Sequence, residues 1–283
     1  MKPGLIGAGL LSPLLLVLLL AFLVPIGLMF PLSLQEYRPG SPNEPVVWTL
    51  ENYTRLITDD FYREVIGRTL TMGLGVTFTC LAVGYPLALY ITKASPRMRM
   101  VATMLVIFPM LLNLVVRSFG WIALLANRGL INNLLLDMGL IERPIRMMFN
   151  LFGLTVGMSH IFLPFMVLML VPVLQAIPPD LQAAARTLSA SRTRAFWTVT
   201  LPLSAPGILA GSILVFTLSI SALVTPRMLG GPTYKVMATL IYDDFLQTLD
   251  WPSGAAMSFS LTLMTLIVIG ISSRWLKRWG GQS

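Results

Sequence analysis

The feature that most constrains this chain is a series of long apolar runs almost free of charge. Several exceed the roughly 18 residues that mark a membrane-spanning helix. Of its 283 residues, 55% are hydrophobic and 11% charged, and the mean hydropathy is +0.78. A soluble domain averages about 25% charged residues. The pattern predicts an all-α membrane protein, a single transmembrane domain over 1–283. Six transmembrane helices are expected at about 5–30, 69–91, 101–125, 150–173, 205–223 and 255–275.

Lys2 precedes the first run, which is longer than the about 7–15 apolar residues of a signal-peptide core. No small-x-small cleavage pattern follows, so it reads as a retained span. The polar stretch 33–68 carries Glu36, Glu44, Glu51, Asp59, Asp60 and Glu64. Within it, Thr49 to Tyr53 reads as a capped helix start, and Asn52-Tyr53-Thr54 is a short match to a glycosylation site. Gly73, Gly75, Gly84 and Pro86 suit close packing and a bend in the second span. The stretch 225–254 places Val236, Met237, Leu240, Ile241, Phe245 and Leu249 at helical spacing, with Asp243, Asp244 and Gln247 largely on the other side. That predicts an amphipathic helix over 235–249, on the outer surface or re-entering the membrane.

Charge assigns the sides. The N-terminus, the loop 92–100, the stretch 178–202 and the C-terminus hold ten cations and one acid, Asp180. The opposite side holds the other eleven acids and nine cations. Cations favour the cytoplasmic side, so both termini are expected there. The net charge of +8 therefore belongs to topology, and no basic–aromatic interleaving points to nucleic acid. One histidine, His160, excludes a two-histidine metal site, and the lone Cys80 excludes a disulfide.

The stretch Pro178 to Pro202 lies between two apolar runs on the cation-rich side. Asp180 can cap a helix over 181–188, Ser191 can cap a second, and Pro202 is expected to end it. With Arg186, Arg192 and Arg194 it forms a basic helical elbow, the kind of surface on which a soluble partner docks.

This elbow resembles the signature loop of permease subunits in binding-protein-dependent ABC importers. That loop reads Glu-Ala-Ala, three residues, Gly, nine residues, a β-branched position, one residue, Leu-Pro. The same spacing is present in Ala183-Ala184-Ala185, Ser189 and Val199-Thr200-Leu201-Pro202, with Ala183 replacing Glu and Ser189 replacing Gly. Further segments are similar to the spermidine/putrescine permease subgroup: 50–56, 84–88, 116–121, 129–132 and 250–256. The resemblance implies a type I ABC importer permease fold in the bacterial inner membrane, with a cytoplasmic coupling helix. It implies partners: a second permease subunit, a different one making a heterodimer in this subgroup, a dimer of ATPase subunits and a periplasmic substrate-binding protein. It implies no cofactor in this chain and no enzymatic activity of its own, with ATP and Mg²⁺ held by the ATPase. The ATPase-coupling residues would be Asp180, Ala183, Ala184, Ala185, Arg186, Leu188, Ser189, Leu201 and Pro202. The solute would be a small cation such as a polyamine. An opine, an aminophosphonate or an amino-acid-like solute fits the same architecture, and a secondary transporter is the rival mechanism.

For a translocation path the sequence offers polar groups within spans. Arg117 is the one ionisable group well inside, and it either meets solute or snorkels to the interface. Asn113 lies four residues before it, on the same helix face. Ser118 and Trp121 follow, the latter able to face an ammonium group. Asp243 and Asp244 either receive a cationic solute or form a solvated helix face. No Gly-rich phosphate loop and no intramembrane catalytic pair is present, which argues against an ATPase or a protease.

Overall fold

The computed structural model describes residues 3–39, 45–178, 180, 181, 185, 187 and 191–280. Among these, the only extended pairing is an isolated bridge between Gln35 and Trp48. The helices are α1 (Pro3–Ser33), α2 (Glu51–Thr58), α3 (Asp60–Lys93), α4 (Pro96–Leu111), α5 (Leu114–Leu125) and α6 (Leu130–Asp137). They continue with α7 (Leu151–Ala176), α8 (Arg192–Leu203), α9 (Ala205–Ser221), α10 (Val224–Gly230), α11 (Met237–Asp243) and α12 (Trp251–Gly280). Among the described residues, five helical stretches are long and apolar enough to cross a membrane, or six if the bent pair α8–α9 is one span.

The stretch expected as one span over 101–125 is broken. Pro109 stands in the last turn of α4, where its missing N–H and its ring weaken the helix. Leu112 is extended, and Asn113 restarts the chain by accepting the Val115 N–H on Oδ1 at 2.8 Å. That is an N-cap, which supplies a partner to a donor the helix leaves open. The apolar stretch then runs from Leu114 to Asp137.

The chain divides into two compact units, and the first comprises Met1–Arg63 with Leu240–Thr262. There α1 is apolar on every side, and Leu16, Phe22 and Leu28 are exposed, as suits a lipid-facing helix. Its end is closed by α2. Asn52 Nδ2 donates to the Ser33 carbonyl at 3.0 Å and to the Gln35 carbonyl at 2.8 Å, and Tyr53 Oη lies 2.7 Å from Ser33 Oγ. Asn52 is buried with its amide committed, so the glycosylation match is a structural cap. The amphipathic helix expected over 235–249 is α11 followed by a π-turn, Asp244–Thr248. Tyr37 Oη donates to the Thr248 carbonyl at 2.7 Å. Asp250 Oδ1 accepts from the Ser253 N–H at 3.0 Å at the start of α12.

The second unit comprises Glu64–Thr239 with Leu263–Ser283. Its core is α7, packed against α9, α10 and α4. Glycines set the close approaches. A Cβ on Gly73 would stand 2.6 Å from Ile220 Cγ2 and 2.9 Å from the Phe216 ring. Met166 of α7, 0% exposed, is held between two glycines. A Cβ on Gly84 of α3 would meet its Cγ at 3.1 Å, and one on Gly211 of α9 its Sδ at 2.7 Å. Gly157 faces Leu229 of α10 as tightly. Apolar burial drives helix association little when the surrounding solvent is lipid, so such small-residue contacts carry much of the packing.

Gly211→Leu is therefore expected to destabilise the protein by about 1–3 kcal/mol, the usual cost of overpacking. Gly67→Ala, at a position where a Cβ meets nothing within 4 Å, is the neutral control. Thermal midpoints of the two variants in one detergent check this.

Candidate functional site

The elbow begins with helical Asp180, Leu181, Ala185 and Thr187, of which Asp180 and Leu181 are exposed and Ala185 half-buried. Ala183, Ala184, Arg186, Leu188 and Ser189 lie outside the described residues. Ser191 caps α8, its Oγ accepting from the Arg194 N–H at 3.2 Å. Buried Ala195 and half-buried Phe196 and Leu201 turn inward, while Arg192, Arg194 and Trp197 are exposed. The helix ends at Leu203, one residue past Pro202. A π-turn over Phe196–Thr200 widens the backbone ahead of it, and a turn Leu201–Leu203 carries the chain on to Ser204. The wider ring changes which carbonyl each N–H meets, which lets a proline follow without a break. From Ser204 the chain turns by 61° into α9, whose first turn holds Pro206.

Beside the elbow is a cavity of about 530 Å³ lined by Thr92, Lys93, Arg99, Gln175 and Thr200 over Leu89, Leu174 and Ile177. Arg99 is fixed there at the end of α3. Its Nε donates to the Ile91 carbonyl at 3.3 Å and its Nη2 to the Thr92 carbonyl at 3.1 Å. A cation at a helix C-terminus complements the partial negative charge of its carbonyls. Tyr85 of α3 reaches the other side of the elbow, with Oη 2.8 Å from Ser204 Oγ and its ring edge-on to Phe196 at 5.9 Å.

The path candidates separate by environment. Asn113 is the exposed cap of α5. Ser118 is fully buried, donating to the Leu114 carbonyl at 3.0 Å and lying 3.2 Å from Thr225 Oγ1 of α10. Trp121 Nε1 donates to His160 Nδ1 at 3.3 Å. His160 is thereby the neutral tautomer with its proton on Nε2. Arg117 is half-buried; its Nε and Nη1 are shielded from solvent and have no hydrogen-bond partner among the described residues. Thus α5 gathers Arg117, Ser118 and Trp121 on one helix beside α7 and α10. Asp243 and Asp244 sit in the first unit at 7% and 8% exposure, which removes the solvated-face reading. A regular helical period predicts a polar stripe there; the π-turn over Asp244–Thr248 re-phases the residues after it and leaves Asp243 in the regular helix.

Sequence reasoning missed α10 and the pairings Tyr85–Ser204 and Trp121–His160. A turn signal was present for the first: Gly231 closes α10 with φ +57°, the left-handed conformation glycine adopts without strain. Nearby, Arg68 donates to the Thr233 carbonyl, pairs with Glu64 at 2.6 Å and lies 4.8 Å from the Tyr234 ring. Burial pushes the Tyr234 phenol above its ordinary pKa, with Arg68 opposing.

Helices broken and re-capped within an apolar bundle, with a bent basic elbow between two of them, define a membrane permease subunit. Residues 81–280 match the family described as binding-protein-dependent transport system inner membrane component, and the chain belongs to that family of multi-pass inner-membrane proteins. It is 36% identical over 236 residues to the spermidine/putrescine transport system permease protein PotB of Escherichia coli K12, covering 82% of this chain and 86% of that one. The Haemophilus influenzae PotB is 33% identical over 237 residues, covering 84% and 82%. The fold matches a chain of a crystal structure of a bacterial ABC transporter that imports the acidic polysaccharide alginate, with a TM-score of 0.75, 21% identity and 96% of both chains covered. A second crystal structure, of a bacterial alginate ABC transporter with an alginate pentasaccharide-bound periplasmic protein, matches with a TM-score of 0.76, 20% identity and coverage of 96% and 95%. This chain is accordingly a permease subunit of an ABC importer.

Asn113→Ala removes the cap at the α4–α5 break and is expected to cost about 1 kcal/mol, while Asn113→Ser retains most of it. Thermal unfolding of the three proteins in detergent reads the difference.

Proposed function

We propose that this permease forms half of the translocation path for a small polycationic solute of the spermidine/putrescine class. The observation that carries the reading is 36% identity to PotB across 82% of the chain. A second, different permease subunit supplies the other half of the path, and a solute-loaded periplasmic protein delivers to it. Two ATPase subunits beneath them bind ATP and Mg²⁺, so hydrolysis takes place outside this chain. Both termini and the elbow face the cytoplasm, in line with the ten cations and one acid on that side.

The elbow over 178–202 takes the ATPase's stroke, through Asp180, Ala183, Ala184, Ala185, Arg186, Leu188 and Ser189, with Leu201 and Pro202 at its far end. Small alanine side chains let such a helix lie close in a groove, and the cap at Ser191 with the packed Ala195 and Phe196 makes α8 a stiff arm. Arg117 belongs to the path wall, where the Nε and Nη1 groups, without a partner among the described residues, can meet a carboxylate of a neighbouring subunit. Asn113, Ser118 and Trp121 extend that wall along α5, and Asp243 and Asp244 contribute acidic groups on the outer side.

Replacing Ala184 with Trp is expected to lower ATPase retention on the affinity-tagged permease by more than about tenfold, the effect of roughly 1.4 kcal/mol lost at an interface. Uptake of labelled spermidine into proteoliposomes of the whole importer falls with it. Full retention and full uptake in this variant would discard the coupling role, and uptake that unlabelled putrescine and spermidine fail to compete would discard the solute class.

A further inference from the structure

Tyr85 stands in α3, 119 residues before its partner Ser204, and neither belongs to the coupling surface or the path wall. Both are buried, at 8% and 0% exposure. The direction of their hydrogen bond follows from proton counting. The Ser204 hydroxyl has one proton and donates it to the Leu201 carbonyl at 2.9 Å. The 2.8 Å contact with Tyr85 is therefore donated by the tyrosine, making a chain from Tyr85 through Ser204 to Leu201. Such chains strengthen one another in a low-dielectric setting.

Ser204 is the residue at which α8 turns by 61° into α9. Two main-chain donors are missing around this bend, although the Ser204 carbonyl accepts from the Ile208 N–H at 3.0 Å. Pro202 and Pro206 flank it and neither has an N–H to give. The Ser204 N–H is shared between the Thr200 carbonyl at 3.0 Å and the Leu201 carbonyl at 3.2 Å. With those two donors missing, a contact from outside can brace the bend, and Tyr85 is placed to supply it. Its hydroxyl grips the bend, and its ring lies edge-on to Phe196, the first residue of the π-turn, at 5.9 Å and 77°. One side chain of α3 fixes α8 at two points eight residues apart.

We infer that Tyr85 and Ser204 are positioning residues for coupled transport: their hydrogen bond locks the α8–α9 bend to α3, so that displacing the elbow moves α3 and α9 as one. This rests on the reading of the elbow as the ATPase contact. Without the bond the bend can flex, and the stroke is absorbed at Ser204 instead of reaching the spans. A bond of simple packing value would affect folding yield and stability alone, whereas a coupling bond affects the ratio of work to hydrolysis.

The test uses the whole importer in proteoliposomes, with both permeases, the ATPase and a spermidine-loaded binding protein. Tyr85→Phe keeps the ring and its contact with Phe196, and Ser204→Ala removes the hydroxyl at the bend. In each, spermidine taken up per ATP hydrolysed is expected to fall roughly fivefold, the scale of one ordinary buried hydrogen bond. The double variant is expected to fall no further, because both changes delete the same bond. Uptake per ATP equal to wild type in Tyr85→Phe, or effects that multiply in the double variant, would overturn the inference alone. A wild-type complex whose hydrolysis ignores the loaded binding protein would instead overturn the function proposed above, and this inference with it.

Discussion

Everything in this structure answers to one constraint: a main-chain N–H or C=O within hydrocarbon has no water to bond, so each must find a partner inside the protein. Unbroken helices meet the constraint automatically. Breaks do not, and this chain breaks several times. At Leu112 the replacement comes from the Asn113 side chain. At Ser204 it comes from a shared main-chain N–H and a serine hydroxyl. At the end of α9, Ser221 Oγ donates to the Thr217 carbonyl at 2.7 Å and the Ala222 N–H turns to Ser219. The start of α7 is closed by Asn150, whose Oδ1 accepts from Gly153 N–H at 3.0 Å. Each irregularity is placed where a small polar residue can close it.

The second consequence concerns how the helices hold together. Lipid tails are as apolar as leucine, so transferring a leucine from lipid to a helix interface gains little. What remains is contact geometry, which explains why glycine and serine recur where α3, α7, α9 and α10 meet. Met166 between Gly84 and Gly211 shows how that contact is filled. Glycine on both sides leaves a slot, and an unbranched thioether fills it with soft, adaptable contacts. A β-branched residue in that slot would hold the three helices in one arrangement more stiffly.

Much of this was legible in the sequence, and the reason is length scale. Apolar runs and cation asymmetry are properties of whole segments, and they pointed to a multi-helix membrane protein. The Ser191 cap was legible because capping is local, three residues from donor to acceptor. Pro202 marked the end of α8 to within one residue, but the π-turn before it was not legible, because it depends on hydrogen-bond phase and not on residue type. Pro109 and Asn113 carried the signal for the broken third span, but an apolar run masks a break unless proline and asparagine are weighed together. Asp243 and Asp244 were misread because helical period reports which residues share a face, not whether the rest of the chain covers that face. Tyr85–Ser204 was out of reach altogether, since no local pattern reports a bond across 119 residues.

These length scales bear on how a permease can move. Alternating access needs elements that stay rigid while the contacts between them change. In this chain the rigid elements are the long helices, and the changeable places are where prolines and caps have replaced regular hydrogen bonds. The elbow joins the two kinds. On its near side a capped helix with a packed inner face resists bending, and on its far side two prolines leave a corner short of two main-chain donors. A lever with a weak corner delivers force only if something braces the corner. Side chains from a neighbouring helix are the available brace, and Tyr85 of α3 makes such a contact, 119 residues before Ser204 along the chain.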